Sequence, residues 1–134
     1  MITEHAHPSR LLRRALQANG LFSALSGVTP FSAAGPLSAL LGPVEPVHLR
    51  ILGAGLLAYA AGLFRNARRD SIRTGEAWLA VGLDGAWVLG SGGLLAAGGL
   101  TSAGNWTVAI VADFVLLFAL LQFVGLCRIG RVSQ

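Results

Sequence analysis

Four long apolar segments dominate the sequence and limit the folds that the chain can adopt. They cover residues 11–34, 48–64, 76–100 and 105–126. Each approaches the ~20 residues that an α-helix needs to cross a bilayer, and none shows the strict alternation of a barrel strand. Only 12% of the residues are charged, whereas an ordinary soluble domain carries about 25%. We therefore predict an integral membrane protein whose segments are transmembrane helices.

The arginines are distributed unevenly among the connections between these segments. Three precede the first segment, four lie between the second and third, and two follow the fourth, which leaves Arg50 alone on the other side. Because basic residues favour the cytoplasmic side, both termini are predicted to be cytoplasmic. Residues 1–10 and 127–134 then form cytoplasmic tails around a membrane domain of residues 11–126. The basic charge lies against anionic headgroups, so the expected partner is the lipid bilayer and not nucleic acid.

The short connections between the four segments predict an all-α fold, which is a four-transmembrane-helix up-down bundle. In the first outer connection, residues 35–47, Pro36 can begin a helix and Gly42 can follow its end, which predicts a short helix in the outer interface. The first segment also resembles a signal peptide, with arginines before it and small residues at its end. Because polar residues interrupt its apolar core, we expect it to remain in the mature chain.

Two aspartates lie inside the predicted spans, where a charge costs at least ~2.5–3.5 kcal/mol. At the helical rise per residue, Asp84 lies about 10 Å below the cytoplasmic edge and Asp113 about 10 Å below the outer edge. Asn19 lies at the depth of Asp84, so we expect a hydrogen bond between them. Asp113 is expected to form an ion pair with Arg50, whose long side chain lies near the outer mouth.

A candidate ligand-binding site surrounds Asp84. Its other members are Asn19 and Ser23, which share one face of the first helix, and Trp87, which continues the face of Asp84. Gln122 in the fourth span is level with Asp84, but it points about half a turn away from Asp113. A carboxylate beside an aromatic ring can receive a cation. Polar residues in membrane bundles often serve only to hold helices together, so a structural role and a binding role both stay open.

Two stripes of small residues predict helix-packing faces. Small residues at every fourth position let helix backbones approach closely. The stripes therefore predict a close crossing of the second and third helices, or association of the chain with itself. Their members are Ala54, Ala58 and Gly62 on the second span, and Gly82, Ala86 and Gly90 on the third.

The sequence offers no recognisable catalytic or metal-binding set. Apart from His48 at the outer mouth of the second span, no span contains a histidine that could activate Ser91, and Cys127 lies at the inner boundary among arginines. His5 and His7 supply only two ligands, in the N-terminal tail, where structural zinc sites use four. We therefore expect no enzymatic activity, no cofactor and no metal.

Several motifs resemble the pattern of small four-helix inner-membrane proteins of bacteria. The resemblance covers most of the chain, and it implies a multi-pass protein of the cell inner membrane without implying an activity. The size is also similar to that of small multidrug-resistance exporters, but those carry an acidic residue in the first helix. The motifs are Asn19-x-x-Phe22-Ser23-x-x-Ser26-Gly27, Leu49-Arg50-x-x-Gly53-x-Gly55-Leu56-Leu57, Asp84-x-x-Trp87-x-x-Gly90-Ser91 and Gln122-x-x-Gly125-Leu126.

Two functions follow from these observations as hypotheses. The first is a non-enzymatic membrane subunit or scaffold, which uses its small-residue faces to form a homo-oligomer or to join a larger membrane complex. The alternative is a small transporter or binder of an apolar or cationic compound, with the site formed by Asp84, Asn19 and Trp87.

Overall fold

The computed structural model describes residues 7–134, with side chains from residue 9 onward, and this part of the chain consists of α-helices joined by short connections. No strand occurs within the described residues, so the prediction of an all-α fold is confirmed. The five helices are α1 (His7–Ser32), α2 (Ala34–Leu41), α3 (Pro46–Ala67), α4 (Thr74–Ala97) and α5 (Ser102–Val132).

The first two helices differ in their bounds from the sequence prediction. α1 begins at His7 and so continues into residues assigned above to the N-terminal tail. α2 begins at Ala34, and its axis makes an angle of 96° with that of α1. Pro36 therefore lies inside the first turn of α2, where its missing N–H costs nothing because the first-turn N–H groups have no helical partner. Gly42 ends the helix with a φ of 115°, as a glycine at this position allows.

Three helices are individually long and apolar enough to cross a membrane, namely α3, α4 and α5. α1 is long enough, with 26 residues, but α1 and α2 reach the required hydropathy only when they are taken together as a bent pair. Three arginines lie in the first two turns of α1, and the arginine-free remainder, residues 15–32, contains Gln17, Asn19, several serines and a threonine. The described chain thus has three helices that can span a bilayer, or four if the bent pair counts as one span.

Neighbouring long helices run antiparallel around the bundle. α1 packs against α3 on one side and α5 on the other, and α4 completes the ring between α5 and α3. α1 and α4 therefore face each other across one diagonal, and α3 and α5 across the other. α2 packs against α3 and α5, and its Leu41 carbonyl oxygen accepts a hydrogen bond of 2.9 Å from the backbone N–H of Thr101.

The backbones of α1 and α3 approach each other closely where the two helices cross. A Cβ atom on Gly27 would lie 2.8 Å from the carbonyl oxygen of Gly53, and one on Gly53 would lie 2.6 Å from the carbonyl oxygen of Gly27. The backbones touch there because neither residue has a side chain. α3 thus turns toward α1 the face that carries Gly53 and Ala60, both of which are buried.

The two predicted small-residue stripes lie on other faces of their helices. A Cβ atom on Gly62, Gly82 or Gly90 would meet no atom within 4 Å. The predicted close crossing of the second and third helices is therefore not made by these stripes, because α3 directs its Gly53 face inward instead. The alanines of the stripes, Ala54, Ala58 and Ala86, are exposed.

Candidate functional site

Asp84 lies at the centre of the bundle, and its carboxyl group joins all four long helices. The residue is 4% exposed. Its Oδ2 accepts hydrogen bonds from Asn19 Nδ2 at 2.7 Å and from Gln122 Nε2 at 3.1 Å. Its Oδ1 accepts a hydrogen bond from the Tyr59 hydroxyl at 2.8 Å. The donors come from α1, α5 and α3, so the three bonds tie α4 to each of the other long helices.

The predicted hydrogen bond between Asn19 and Asp84 is therefore confirmed, and it spans the diagonal between α1 and α4. Ser23 donates a hydrogen bond of 3.2 Å to Asn19 Oδ1. This bond fixes which end of the Asn19 amide points toward Asp84, because the amide carries its acceptor and its donors on opposite atoms. Ser23 thus contributes to the cluster indirectly, by orienting the amide that contacts the carboxyl group.

Tyr59 is a member of the cluster that, like Gln122, the sequence did not assign to the candidate site. Its hydroxyl also lies 3.3 Å from the carbonyl oxygen of Ala80 and 3.5 Å from Asn19 Nδ2. One feature of the sequence could have indicated that Tyr59 belongs to the cluster. Tyrosine in membrane proteins is concentrated at the interfaces, and Tyr59, the one tyrosine of the chain, stands inside a predicted span.

Two buried polar atoms near this cluster have no hydrogen-bond partner among the described residues. They are Gln122 Oε1 and Trp87 Nε1. Gln122 is fully buried, whereas Trp87 is half-buried, one helical turn beyond Asp84 on α4. The structure thus places Trp87 on the same side of α4 as the cluster without giving its indole N–H a role there.

Two surface grooves of the bundle do not reach Asp84. None of the residues that bind Asp84 lines either of them. One groove is lined by Leu95, Ser102, Asn105, Trp106 and Ala109, and the other by Gln17, Ala18, Leu21, Phe64 and Arg68.

The predicted ion pair between Arg50 and Asp113 is absent. Both residues are exposed, and the ion pairs found among the described residues join Arg65 and Arg73 to Glu76, at 3.6 and 3.4 Å. The physical reason is the helix order. Arg50 lies on α3 and Asp113 on α5, which occupy opposite corners of the bundle and point these two side chains outward.

The end of the bundle that carries most arginines has its own hydrogen-bond network. The Arg13 guanidinium donates to the carbonyl oxygens of Ala67 and Arg69, the second at 2.8 Å. Asn66 bonds the backbone of Arg73 in both directions, since its Oδ1 accepts from the N–H at 2.9 Å and its Nδ2 donates to the carbonyl at 3.1 Å. Together these bonds fix the connection between α3 and α4 against α1.

No group of three or more His, Cys, Asp or Glu side chains within the described residues could hold a metal ion. Cys127 is a half-buried free thiol, and His5 lies outside the described residues.

Comparisons with protein-family models, with curated proteins and with solved structures gave no match. The resemblance to small four-helix inner-membrane proteins of bacteria therefore stays a prediction from the motifs of the chain.

Proposed function

We propose that this chain is a non-enzymatic, multi-pass membrane protein that acts as a subunit or scaffold through helix–helix association. One observation carries the proposal. The two small-residue stripes point away from the bundle, so the chain leaves uncovered the faces best suited to close helix contact. Their partners are then helices of a second copy or of a larger complex. The stripes consist of Ala54, Ala58, Gly62, Gly82, Ala86 and Gly90.

The proposed topology has four crossings with both termini in the cytoplasm. In this arrangement α1 forms the first crossing, and α2 lies along the outer surface. The antiparallel order of the long helices supports it, as does the gathering of nine arginines at one end. Large apolar residues on the outside, such as Leu89 at 79% exposed and Ile51 at 66%, need a lipid environment to cover them. With the motif resemblance, this favours the bacterial inner membrane.

The geometry around Asp84 supports a structural role for the cluster. Asn19, Tyr59 and Gln122 already supply three donors to the carboxyl group, and a compound that bound there would have to displace them. Interhelical hydrogen bonds in membrane proteins contribute ~0.6 kcal/mol each on average. The cluster therefore serves to hold the four helices in one arrangement, which a scaffold requires.

A test of the scaffold proposal is the mass of the native assembly after gentle extraction from membranes. We expect a protein mass well above the 13.9 kDa of one chain. Replacing Ala58 or Gly82 by leucine should reduce this mass, because a large side chain keeps the backbones apart. The matched control is Gly92→Leu, since Gly92 is equally open but lies off the stripe. A single chain in the extract would contradict the proposal.

The second candidate function is binding or transport of a small cationic compound at the Asp84 cluster. The unpartnered Gln122 Oε1 and Trp87 Nε1 favour it, because a bound polar group could satisfy both atoms. Tyramine is a suitable probe, because its ammonium group can donate to Gln122 Oε1 and its hydroxyl group can accept from Trp87 Nε1. Saturable binding that Asp84→Asn abolishes would support this candidate, and a binding curve that the substitution leaves unchanged would exclude the cluster as its site.

A further inference from the structure

Asp113 is the one charged residue in the apolar part of α5, residues 102–127, and large apolar side chains surround it. Trp106 and Leu120 lie seven residues before and after it, on the same side of the helix. These two residues are 69% and 54% exposed, and Ile110 and Leu117 beside them are 51% and 49% exposed. Asp113 is itself exposed, and no described residue forms a hydrogen bond or an ion pair with its carboxyl group.

Asp113 lies deep in the membrane, so the lack of a partner for its carboxyl group is costly in free energy. Trp106 is placed where tryptophans mark the membrane interface, and Asp113 is seven residues further along the helix, or about 10 Å deeper. A charged group in the bilayer core raises the free energy by at least ~2.5–3.5 kcal/mol at the centre. Intramembrane carboxyl groups are therefore rarely left facing lipid, and they usually have a partner.

We propose that the face of α5 centred on Asp113 binds a transmembrane helix of a different protein, and that this helix presents an arginine, lysine or histidine at the depth of Asp113. The proposal rests on the scaffold function and names the partner's chemistry. A carboxylate centred in an apolar face fits an apolar helix with one cationic side chain at the matching level.

A second copy of the chain does not supply such a cation. In a copy of the same orientation, the exposed His48 and Arg50 lie two and four residues after the start of α3, close to the outer surface. Both side chains reach outward, because Cβ atoms tilt toward the helix N-terminus. The other nine arginines lie at the opposite end of the bundle. The cation that Asp113 needs must then come from another protein.

The test is photo-cross-linking in membranes of the cells that naturally produce the chain. A photoreactive amino acid replaces Leu117, one turn below Asp113, and in a second variant it replaces Leu89 on α4 as a control. We expect the Leu117 position to cross-link to a transmembrane peptide with Arg, Lys or His within one turn of the attachment point. Asp113→Asn should lower the yield about fivefold or more, and Asp113→Glu should retain most of it.

Several outcomes would overturn the proposal. They are cross-links from Leu117 only to lipid or to a second copy, a partner peptide without a cationic residue, and a yield that Asp113→Asn leaves unchanged. Because Asp113 makes no contact that the fold needs, the native mass and the thermal unfolding of the variant verify that it folds. A large assembly that does not depend on Asp113 would refute this inference but preserve the scaffold function, whereas a lone chain would refute both.

Discussion

The substitution Tyr59→Phe tests whether the Asp84 cluster holds the helices together. It removes one oxygen atom and leaves the ring in place. Among the described residues, Tyr59 is the only donor to Asp84 Oδ1, whereas Oδ2 has two donors, Asn19 and Gln122. Loss of the hydroxyl therefore leaves one carboxyl oxygen without a partner inside the bundle.

The expected loss in the free energy of unfolding is about 1–2 kcal/mol. Interhelical hydrogen bonds in membrane proteins are worth ~0.6 kcal/mol on average and at most ~1.7 kcal/mol. An acceptor that is left buried without a partner costs about 1–3 kcal/mol, which moves Tyr59 to the upper part of that range. In an Asp84→Asn background, the same substitution should cost less, because the amide places donors on one of the two atoms that accept hydrogen bonds in the carboxyl group.

The assay is equilibrium unfolding in mixed micelles of a mild detergent and dodecyl sulfate, followed by the tryptophan fluorescence of the chain. Thr29→Val is the control. Its hydroxyl bonds the carbonyl of Leu25 within its own helix, at 3.1 Å on the exposed surface. A loss below about 0.3 kcal/mol for Tyr59→Phe, or an equal loss in the Asp84→Asn background, would refute the idea that this bond ties α3 to α4.

Three further predictions concern other parts of the bundle. Gly27→Ala should lower the stability by about 1–3 kcal/mol, because the added Cβ would lie 2.8 Å from the carbonyl oxygen of Gly53; the same unfolding assay measures this. Arg13→Gln should cost about 1–3 kcal/mol, since it removes a charged donor from the carbonyl groups at the end of α3, and it should speed hydrogen exchange in the connection that follows. Ala58→Leu should lower the mass of the native assembly and leave the stability of the single chain within about 0.5 kcal/mol, as judged by native mass and unfolding together.

Each of these predictions has a comparison that can contradict it. Gly55→Ala adds the same atom where nothing lies within 4 Å, so equal losses for Gly27→Ala and Gly55→Ala would show that close packing is not the cause. Arg14→Gln changes an exposed arginine beside Arg13, and an equal effect would assign the loss to net charge. A large loss of stability for Ala58→Leu would mean that its face packs within the chain.

The candidate site was predictable in part. Asn19 and Asp84 could be matched because depth along a helix follows directly from the residue number. The direction in which a side chain points around the helix axis was harder to predict, because it depends on which face of the helix turns toward the centre of the bundle. That is why Tyr59 was missed, and why Arg50 and Asp113, which were paired by their position near the outer end, point outward from opposite corners of the bundle.

The helical fold class, the apolar segments and the gathering of arginines at one end could be predicted, because they depend on composition and on residue order alone. Which helix faces meet depends on how all the helices pack together. Gly27 and Gly53 form a close crossing because both glycines lie at the same level on neighbouring helices. The equally regular stripe of Gly82, Ala86 and Gly90 remained outside. Small size permits contact, and the neighbouring helices determine which contacts form.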